Sequence, residues 1–337
     1  MPKVCLSMIC RNEGHCIERC LNSVKWLVDS YRIVDTGSTD DTVEIISRVM
    51  EEMPGEIISS PWQDDFAYHR NLAIPSMIPA EGRGPEDYWL LMDADDEMVV
   101  GMPFLKEALV DPIYAIGNVE NDMTNFRAHL IRMDQDVRWK YVRHEVLDRL
   151  GTVSLLRPEQ IKIQIHHEGA RSKNPNKGID DAIAILKDLP NWPQESSEYR
   201  YYTFLVGCCF TDCRIYDKAA EYFRKYLKMV TEQDNLENIW MANHLLAVCA
   251  AMERKPANEV VEAYMAAINA DPERLESYFL LARYLIDHNC LQSAKMIAGL
   301  TLKMEKKVYI LKHMTTWWDM RDKFYQELCE AIAEESK

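Results

Sequence analysis

The hydrophobic pattern divides the chain into two unlike halves. In the first, short apolar runs alternate with amphipathic stretches. Val4–Cys10 is a short apolar run of the kind expected for a parallel strand covered on both faces. Ile17, Cys20, Leu21, Val24, Leu27 and Val28 then recur at helical spacing. Tyr31–Val34 reads as a second strand, which stops at the polar run Asp35–Asp41. Ser38 and Asp41 have the form of a capping box, and Val43, Ile46, Val49 and Met50 follow as a helix face. Glu56–Ser60 reads as a third strand, Asp65–Ile74 as a short helix, and Gly82 and Gly84 mark a loop. Tyr88–Met92 is a fourth strand, ending at Asp93-Ala94-Asp95-Asp96-Glu97. Repeated β-α-β units predict a doubly wound, mostly parallel sheet.

From about Ser196 the pattern is helical throughout, and Gly and Pro become rare. A period of roughly 34 residues runs through it. Ala247, Tyr264, Ala267 and Pro272 mark one unit, and Leu281, Ala282, Leu285 and Ala294 the next. Gly207, Phe210, Ala219 and Phe223 mark an earlier one. Small residues sit where paired helices approach closely, and aromatics fill the gap to the next pair. The expectation is a tetratricopeptide-like array rather than a plain bundle. The expected division is an α/β domain over 1–190 and a helical repeat domain over 191–337. Trp317 and Trp318 are expected to pack within the array.

Composition narrows the function classes. Lys and Arg total 39 against 54 Asp and Glu, a net charge of −15, which argues against binding nucleic acid or an anionic membrane. No apolar run approaches the ~20 residues of a transmembrane helix. The N-terminus lacks a signal-peptide layout. The ten cysteines include no CxxC pair, so free thiols in a reducing cytoplasm are expected. Against this acidic background, Phe126–Lys177 carries eleven Lys and Arg, together with His129, His144, His166 and His167. A positive island in an acidic chain suits an anionic ligand.

Carboxylates fall at or beyond the ends of the predicted strands: Asp35, the Asp64-Asp65 pair and the Asp93–Asp96 cluster. That edge is where open α/β sheets bind ligands. Asp93 and Asp95 repel one another unless a cation intervenes, and oxygen ligands so spaced suit Mg²⁺ or Mn²⁺ bridging to a diphosphate. Taken alone the pattern equally describes a solvated acidic loop.

Four segments together change that weighting: Val4–Glu13 (VCLSMICRNE), Val34–Thr42 (VDTGSTDDT), Asp65–Ala73 (DFAYHRNLA) and Trp89–Glu97 (WLLMDADDE). In kind, order and element, the chain resembles glycosyltransferase family 2, with its GT-A (Rossmann-like) catalytic fold. The resemblance covers about the first hundred residues. With the tetratricopeptide-like C-terminal half, it is similar to a subgroup that includes bacteriocin S-glycosyltransferases. Arg143-His144-Glu145 matches a His-Glu pair of lipooligosaccharide core glucosyltransferases.

The resemblance implies a nucleoside-diphosphate sugar as donor, a UDP-sugar first, with Mn²⁺ or Mg²⁺. Asp35 would meet the nucleotide base, Arg70 and Asn71 would lie near the donor, and Asp93 against the ribose and metal. Asp95 would ligate the metal, with Asp96 as a competing carboxylate. His144 would belong to the donor site, and His167, rather than His166, would complete the metal set. Inverting transfer needs a base for the acceptor proton. Glu145 is the first choice, Asp148 and Asp136 standing behind it. The rival account of Glu145 is a salt bridge to Arg143 or Arg149. The acceptor would be a hydroxyl or thiol of a glycan, lipid-linked sugar or protein, held by the repeats, which equally suit homodimerisation. Two competing functions are a non-catalytic interaction module on a relic domain, and a sugar nucleotidyltransferase. Cys10–Gly14 has a single glycine and no Gly-rich phosphate loop, which counts against the second.

Overall fold

The computed structural model describes residues 1–74, 84–102, 104–120, 123–305 and 315–335, and the side chains of Met123, of 315–320 and of 334–335 stand outside the description. The expected Gly82 loop and the Trp317-Trp318 packing therefore lie outside the described residues. The chain forms two compact units, Met1–Lys177 and Gly178–Lys337. The division falls after the first residue of the helix Lys177–Asp188, whereas the sequence suggested a limit near 190. That helix begins against the second unit's own first long helix. A Cβ on Gly178 would stand 2.5 Å from Cys213 Sγ and 3.1 Å from the Cys209 carbonyl oxygen.

The first unit is built on a nine-stranded sheet. Its strands are β1 (Val4–Cys10), β2 (Ser30–Asp35), β3 (Gly55–Ser59), β4 (Tyr88–Leu91), β5 (Glu97–Val100), β6 (Ile113–Glu120), β7 (Met123–Arg132), β10 (Val153–Leu155) and β11 (Ile161–Gln164). The order is β3-β2-β1-β4-β7-β6-β11-β5, with β10 also on β6. The β3-β2-β1-β4 half is parallel throughout. β7 enters antiparallel to both β4 and β6, and β5 antiparallel to β11. A separate two-stranded ribbon pairs β8 (Arg138–Lys140) with β9 (Val146–Asp148).

The alternation of β1 explains the layering. Val4, Leu6, Met8 and Cys10 enter one core with Ile17, Cys20, Leu21 and Val24 of α1 (Ile17–Val24). Ile45, Ile46 and Val49 of α2 (Thr42–Val49) join them. Cys5, Trp89, Leu91 and Ile131 enter a second core on the opposite face. Each aliphatic side chain so buried contributes roughly 1.5–3 kcal/mol relative to exposure. The capping box does not form: Asp41 caps α2 without a side-chain bond, and the Ser38 hydroxyl donates to Asp35 instead. Asp40 takes over, accepting from the Thr42 amide at 3.1 Å.

The second unit opens with α4 (Lys177–Asp188) and continues as helix pairs. α5 (Ser197–Asp212) precedes α6 (Tyr216–Leu227), α7 (Leu236–Met252) precedes α8 (Ala257–Ala270), and α9 (Leu275–Asp287) precedes α10 (Leu291–Thr301). α11 (Thr315–Glu335) follows. The small positions of the sequence period are where the partners meet. A Cβ on Gly207 would stand 2.6 Å from the Phe223 ring. Ala219, Ala247, Ala267, Ala282 and Ala294 are all buried. No described helix is long and apolar enough to cross a membrane.

Candidate active site

The carboxyl ends of β1, β2 and β4 converge on one edge, and short polar side chains sew their loops together. Asn12 adopts a left-handed backbone (φ 56°), which its short side chain tolerates. Its amide donates to Ser38 Oγ at 2.9 Å, and its Oδ1 accepts from the Thr39 amide at 2.7 Å. A Cβ on Gly14 would lie 2.0 Å from Oδ1 of the exposed Asp41 side chain. Asp35, at the end of β2, is buried and caps its own turn. It accepts from the Gly37 amide at 3.3 Å, from the Ser38 amide at 3.1 Å and from the Ser38 hydroxyl at 2.5 Å.

The acidic turn after β4 splits into three environments. Asp93 is half-exposed and accepts from Arg70 Nη2 at 2.6 Å. Burial pushes its carboxyl up and the Arg70 guanidinium more than reverses this, leaving it below the ordinary range. Asp95 Oδ2 accepts from the Gly169 amide at 2.8 Å. Asp96 points inward and is only 4% exposed. Burial first, then the charges of Asp93 and Asp95, push its carboxyl up to about 8. The inward side chain separates Asp96 from the outward pair, a distinction the sequence left open.

Asp93 and Asp95 stand at one strand end as two hard-oxygen carboxylates separated by one residue. A divalent cation on Asp93 and Asp95 fits that donor set. His167 is not drawn into it by the contacts described: its Nε2 lies 2.9 Å from Glu120 Oε1, and the side chain is exposed. His166 pairs with Glu97 at 3.0 Å. The partner of the turn is instead the backbone just beyond. Gly169 donates to Asp95, and Ala170 donates to Glu13 at 3.2 Å. Glu13 and Gly169 are the residues the sequence reading missed. Gly169 is legible only in space, since a Cβ there would stand 3.0 Å from Asp95 Oδ2.

Arg70, on α3 (Phe66–Ala73), ties two strand-end groups together. Asp65 caps α3 by accepting from the Tyr68 amide at 2.9 Å. Arg70 Nε donates to Glu145 Oε1 at 2.7 Å while Nη2 holds Asp93, and all three side chains are wholly or half buried. The guanidinium lies 4.9 Å over the Trp139 ring. Asn71 fixes the register between α3 and β8. Its Nδ2 donates to the Trp139 carbonyl and its Oδ1 accepts from the Trp139 amide, both at 2.9 Å. Both ends of the Asn71 amide are thus engaged within the protein rather than turned toward a donor.

The expected partners of Glu145 go elsewhere. Arg143 is buried, bonds Asp64, and lies over the rings of Trp62 and Phe66. Arg149 pairs with Asp136. Asp148 lies 3.1 Å from Lys140 Nζ on the β8-β9 ribbon. His144 is exposed with φ 52°, and Tyr141 has φ 81°. Two bulky residues in the left-handed region within one short loop store backbone strain next to Glu145.

His129 carries a buried polar link that the sequence did not reveal. Its Nδ1 lies 2.6 Å from the Leu91 carbonyl oxygen and its Nε2 2.7 Å from Asn118 Oδ1. Burial pushes its pKa down to about 4, so it stays neutral and donates through one ring nitrogen only.

The inward Asp96 yields a stability prediction. Its folded pKa of about 8 lies above the ordinary 3.8, so its contribution is complete below the ordinary value and is lost as pH rises to about 8. Asp96→Asn removes that loss. At pH 8 in EDTA the variant should be the more stable of the two, and near parity at pH 4. Equal melting temperatures at pH 8 would exclude Asp96 as the source.

Residues 5–159 match the family described as Glycosyl transferase family 2. A TPR repeat-containing protein of Synechococcus elongatus is 33% identical over 287 residues, 80% of this chain and 66% of its own length. The prophage-derived glycosyltransferase SunS of Bacillus subtilis is 40% identical over 73 residues, 22% of this chain and 17% of its own. An uncharacterized glycosyltransferase of Rickettsia felis is 36% identical over 98 residues, 29% of this chain and 30% of its own. The chain thus spans just under two thirds of the first relative and a minor part of the others. The site edge, from Asn12 through Asp35 and Arg70 to Asp95, lies within residues 5–159, the span that matches glycosyltransferase family 2, and tetratricopeptide-like helices follow it.

Proposed function

We propose that the chain transfers a sugar from a nucleoside-diphosphate sugar, a UDP-sugar first, to a hydroxyl or thiol acceptor with inversion. The observation that carries this reading is the Arg70 bridge. Glu145 and Arg70 are 75 residues apart, yet they meet at 2.7 Å on the guanidinium that also holds Asp93. A candidate base and a candidate cation ligand therefore share one strand-end site.

Asp93 and Asp95 would hold Mn²⁺ or Mg²⁺, which when bound offsets the charge growing on the leaving diphosphate. The protein's own part is proton removal and orientation. As the bond from the anomeric carbon to the diphosphate oxygen breaks and the bond to the acceptor forms, Glu145 takes the acceptor proton. Arg70 fixes where that carboxylate sits. Asp35 shapes the Thr36–Ser38 turn at the base end of the site, and His144 lies beside Glu145 on the exposed rim. The helical unit supplies extended surface suited to a protein or glycan acceptor.

A thermal-shift panel of UDP-, GDP- and dTDP-sugars with Mn²⁺ tests the reading, since a preferred donor raises the melting temperature by mass action. Asp95→Asn removes one anionic ligand and should weaken Mn²⁺ and nucleotide together, about tenfold or more, with the fold intact. Full nucleotide affinity in EDTA, or in the variant, would overturn the assignment. A chain that binds no nucleotide while its helical unit captures a peptide would favour the interaction-module account.

A further inference from the structure

The Arg70 bridge has a consequence for the order in which ligands enter. Asp93 Oδ1 is already satisfied at 2.6 Å by a guanidinium that is itself held on other sides. Nε lies on Glu145, the face lies on Trp139, and the neighbouring Asn71 clamps the helix to the Trp139 backbone at two points. The Arg70 side chain is 14% exposed, against 39% for Asp93. Arg70 is therefore anchored within the protein, and Asp93 presents its outer side to the solvent. A cation arriving at Asp93 meets a carboxylate whose charge is partly spent and a fixed positive charge behind it.

We propose that Arg70 is an electrostatic latch: it opposes cation binding to the donor-free protein, so that cation and nucleoside diphosphate bind cooperatively rather than independently. The inference rests on the transferase reading above and goes beyond it. A diphosphate brings the negative charge that the Arg70 and cation pair lacks, so each ligand improves the site for the other. Such coupling is reciprocal: whatever factor the nucleotide lends to the cation, the cation lends to the nucleotide. The latch also links the two ends of the site. A cation that draws on Asp93 leaves Glu145 as the remaining anion on the guanidinium, which holds Glu145 in place while the donor is bound. Arg70 is accordingly a positioning residue.

The test titrates Mn²⁺ by calorimetry, or by the free-ion paramagnetic signal, with and without UDP. It uses the full chain, its Arg70→Gln and Arg70→Lys variants, and melting curves as a fold control. In the unaltered protein Mn²⁺ alone should bind weakly and UDP should strengthen it. Arg70→Gln should bind Mn²⁺ alone about tenfold more tightly, and the strengthening by UDP should shrink by a similar factor. Arg70→Lys keeps the charge but cannot reach both carboxylates as a fork does, so it should fall between the two. It also serves if Arg70→Gln fails to fold.

Mn²⁺ affinity that is unchanged or lowered in folded Arg70→Gln overturns the latch. If UDP affinity is lost there while Mn²⁺ alone is unaffected, Arg70 is a diphosphate clamp instead. An unaltered protein that binds neither Mn²⁺ nor UDP overturns the transferase reading and the latch together. One that binds both, with no gain in either variant, overturns the latch alone.

Discussion

Glu145→Gln should lower turnover by ~10²–10⁴-fold, the usual contribution of a positioned base, while nucleotide affinity changes by less than about twofold. The substitution keeps the shape of the side chain and its acceptor oxygen toward Arg70, and removes the basicity. Arg70 retains Asp93 as an anionic partner, so the cation end of the site stays assembled. A purely structural carboxylate would behave differently, the variant losing melting temperature before it loses rate. The partners first considered for that structural role are taken by others, Arg143 by Asp64 and Arg149 by Asp136. Donor hydrolysis or transfer, measured beside the melting curve, separates the accounts. Near-normal turnover in a folded variant would move the role to Asp148 or Asp136. Those two already pair with Lys140 and Arg149 on or beside the β8-β9 ribbon.

The elements that could be read from the chain are those whose information is local. β1 and β4 are mostly apolar because both faces are covered, β2 carries the buried pair Ile33 and Val34, and each ends at the polar run the sequence shows. α3 starts at an aspartate that caps it. The repeat positions Gly207, Ala219 and Ala247 are small because a neighbouring helix lies on them. In each case a residue and its immediate spacing carry the whole signal.

What escaped depends on sheet order. β6 and β7 are the longest of the described strands, yet they enter the middle of the sheet with β7 antiparallel between β4 and β6, interrupting the parallel pattern. The same insertion buries His129 between Leu91 and Asn118, and a histidine in a basic segment gives no hint of that. The capping box failed because Ser38 had a better acceptor in the buried Asp35 only three residues back. Glu145 was legible as a candidate, but its link to Asp93 through Arg70 was not. That link requires α3 and the loop after β8 to meet over the end of β4. His167 differs in another way. A histidine after the last strand of the sheet reads as a ligand, yet this one extends to Glu120 while the backbone two residues later reaches Asp95.

The second large effect lies in the helical unit and concerns stability rather than chemistry. Asp234→Ala should destabilise that unit by about 3–5 kcal/mol, the usual cost of leaving a buried charge without its partner. Arg200 Nε donates to both carboxylate oxygens, at 3.0 and 2.9 Å, and each side chain is 9% exposed. Arg200 Nη1 also donates to the Glu195 carbonyl at 2.7 Å, so the guanidinium cannot swing out to water without breaking the start of α5. Asp234 in turn accepts from the Thr231 amide and hydroxyl at 2.7 and 2.9 Å, closing the turn that joins α6 to α7. Asp234→Asn keeps an acceptor and should cost less. Arg200→Met with Asp234→Leu removes both charges and should recover much of the loss. Burial pushes the Asp234 carboxyl up, and its bonds from Arg200 and Thr231 bring it below the ordinary 3.8. Its stabilisation is therefore complete above that value and fades as pH falls through the lower folded pKa. The gap between the unaltered protein and Asp234→Ala should thus be full at pH 7 and narrow toward pH 3. Urea unfolding followed by helical circular dichroism reads it, with the two units fitted as separate transitions. A gap that stays constant with pH would show that the turn's hydrogen bonds, and not the charge of Asp234, hold α5 to the α6-α7 connection.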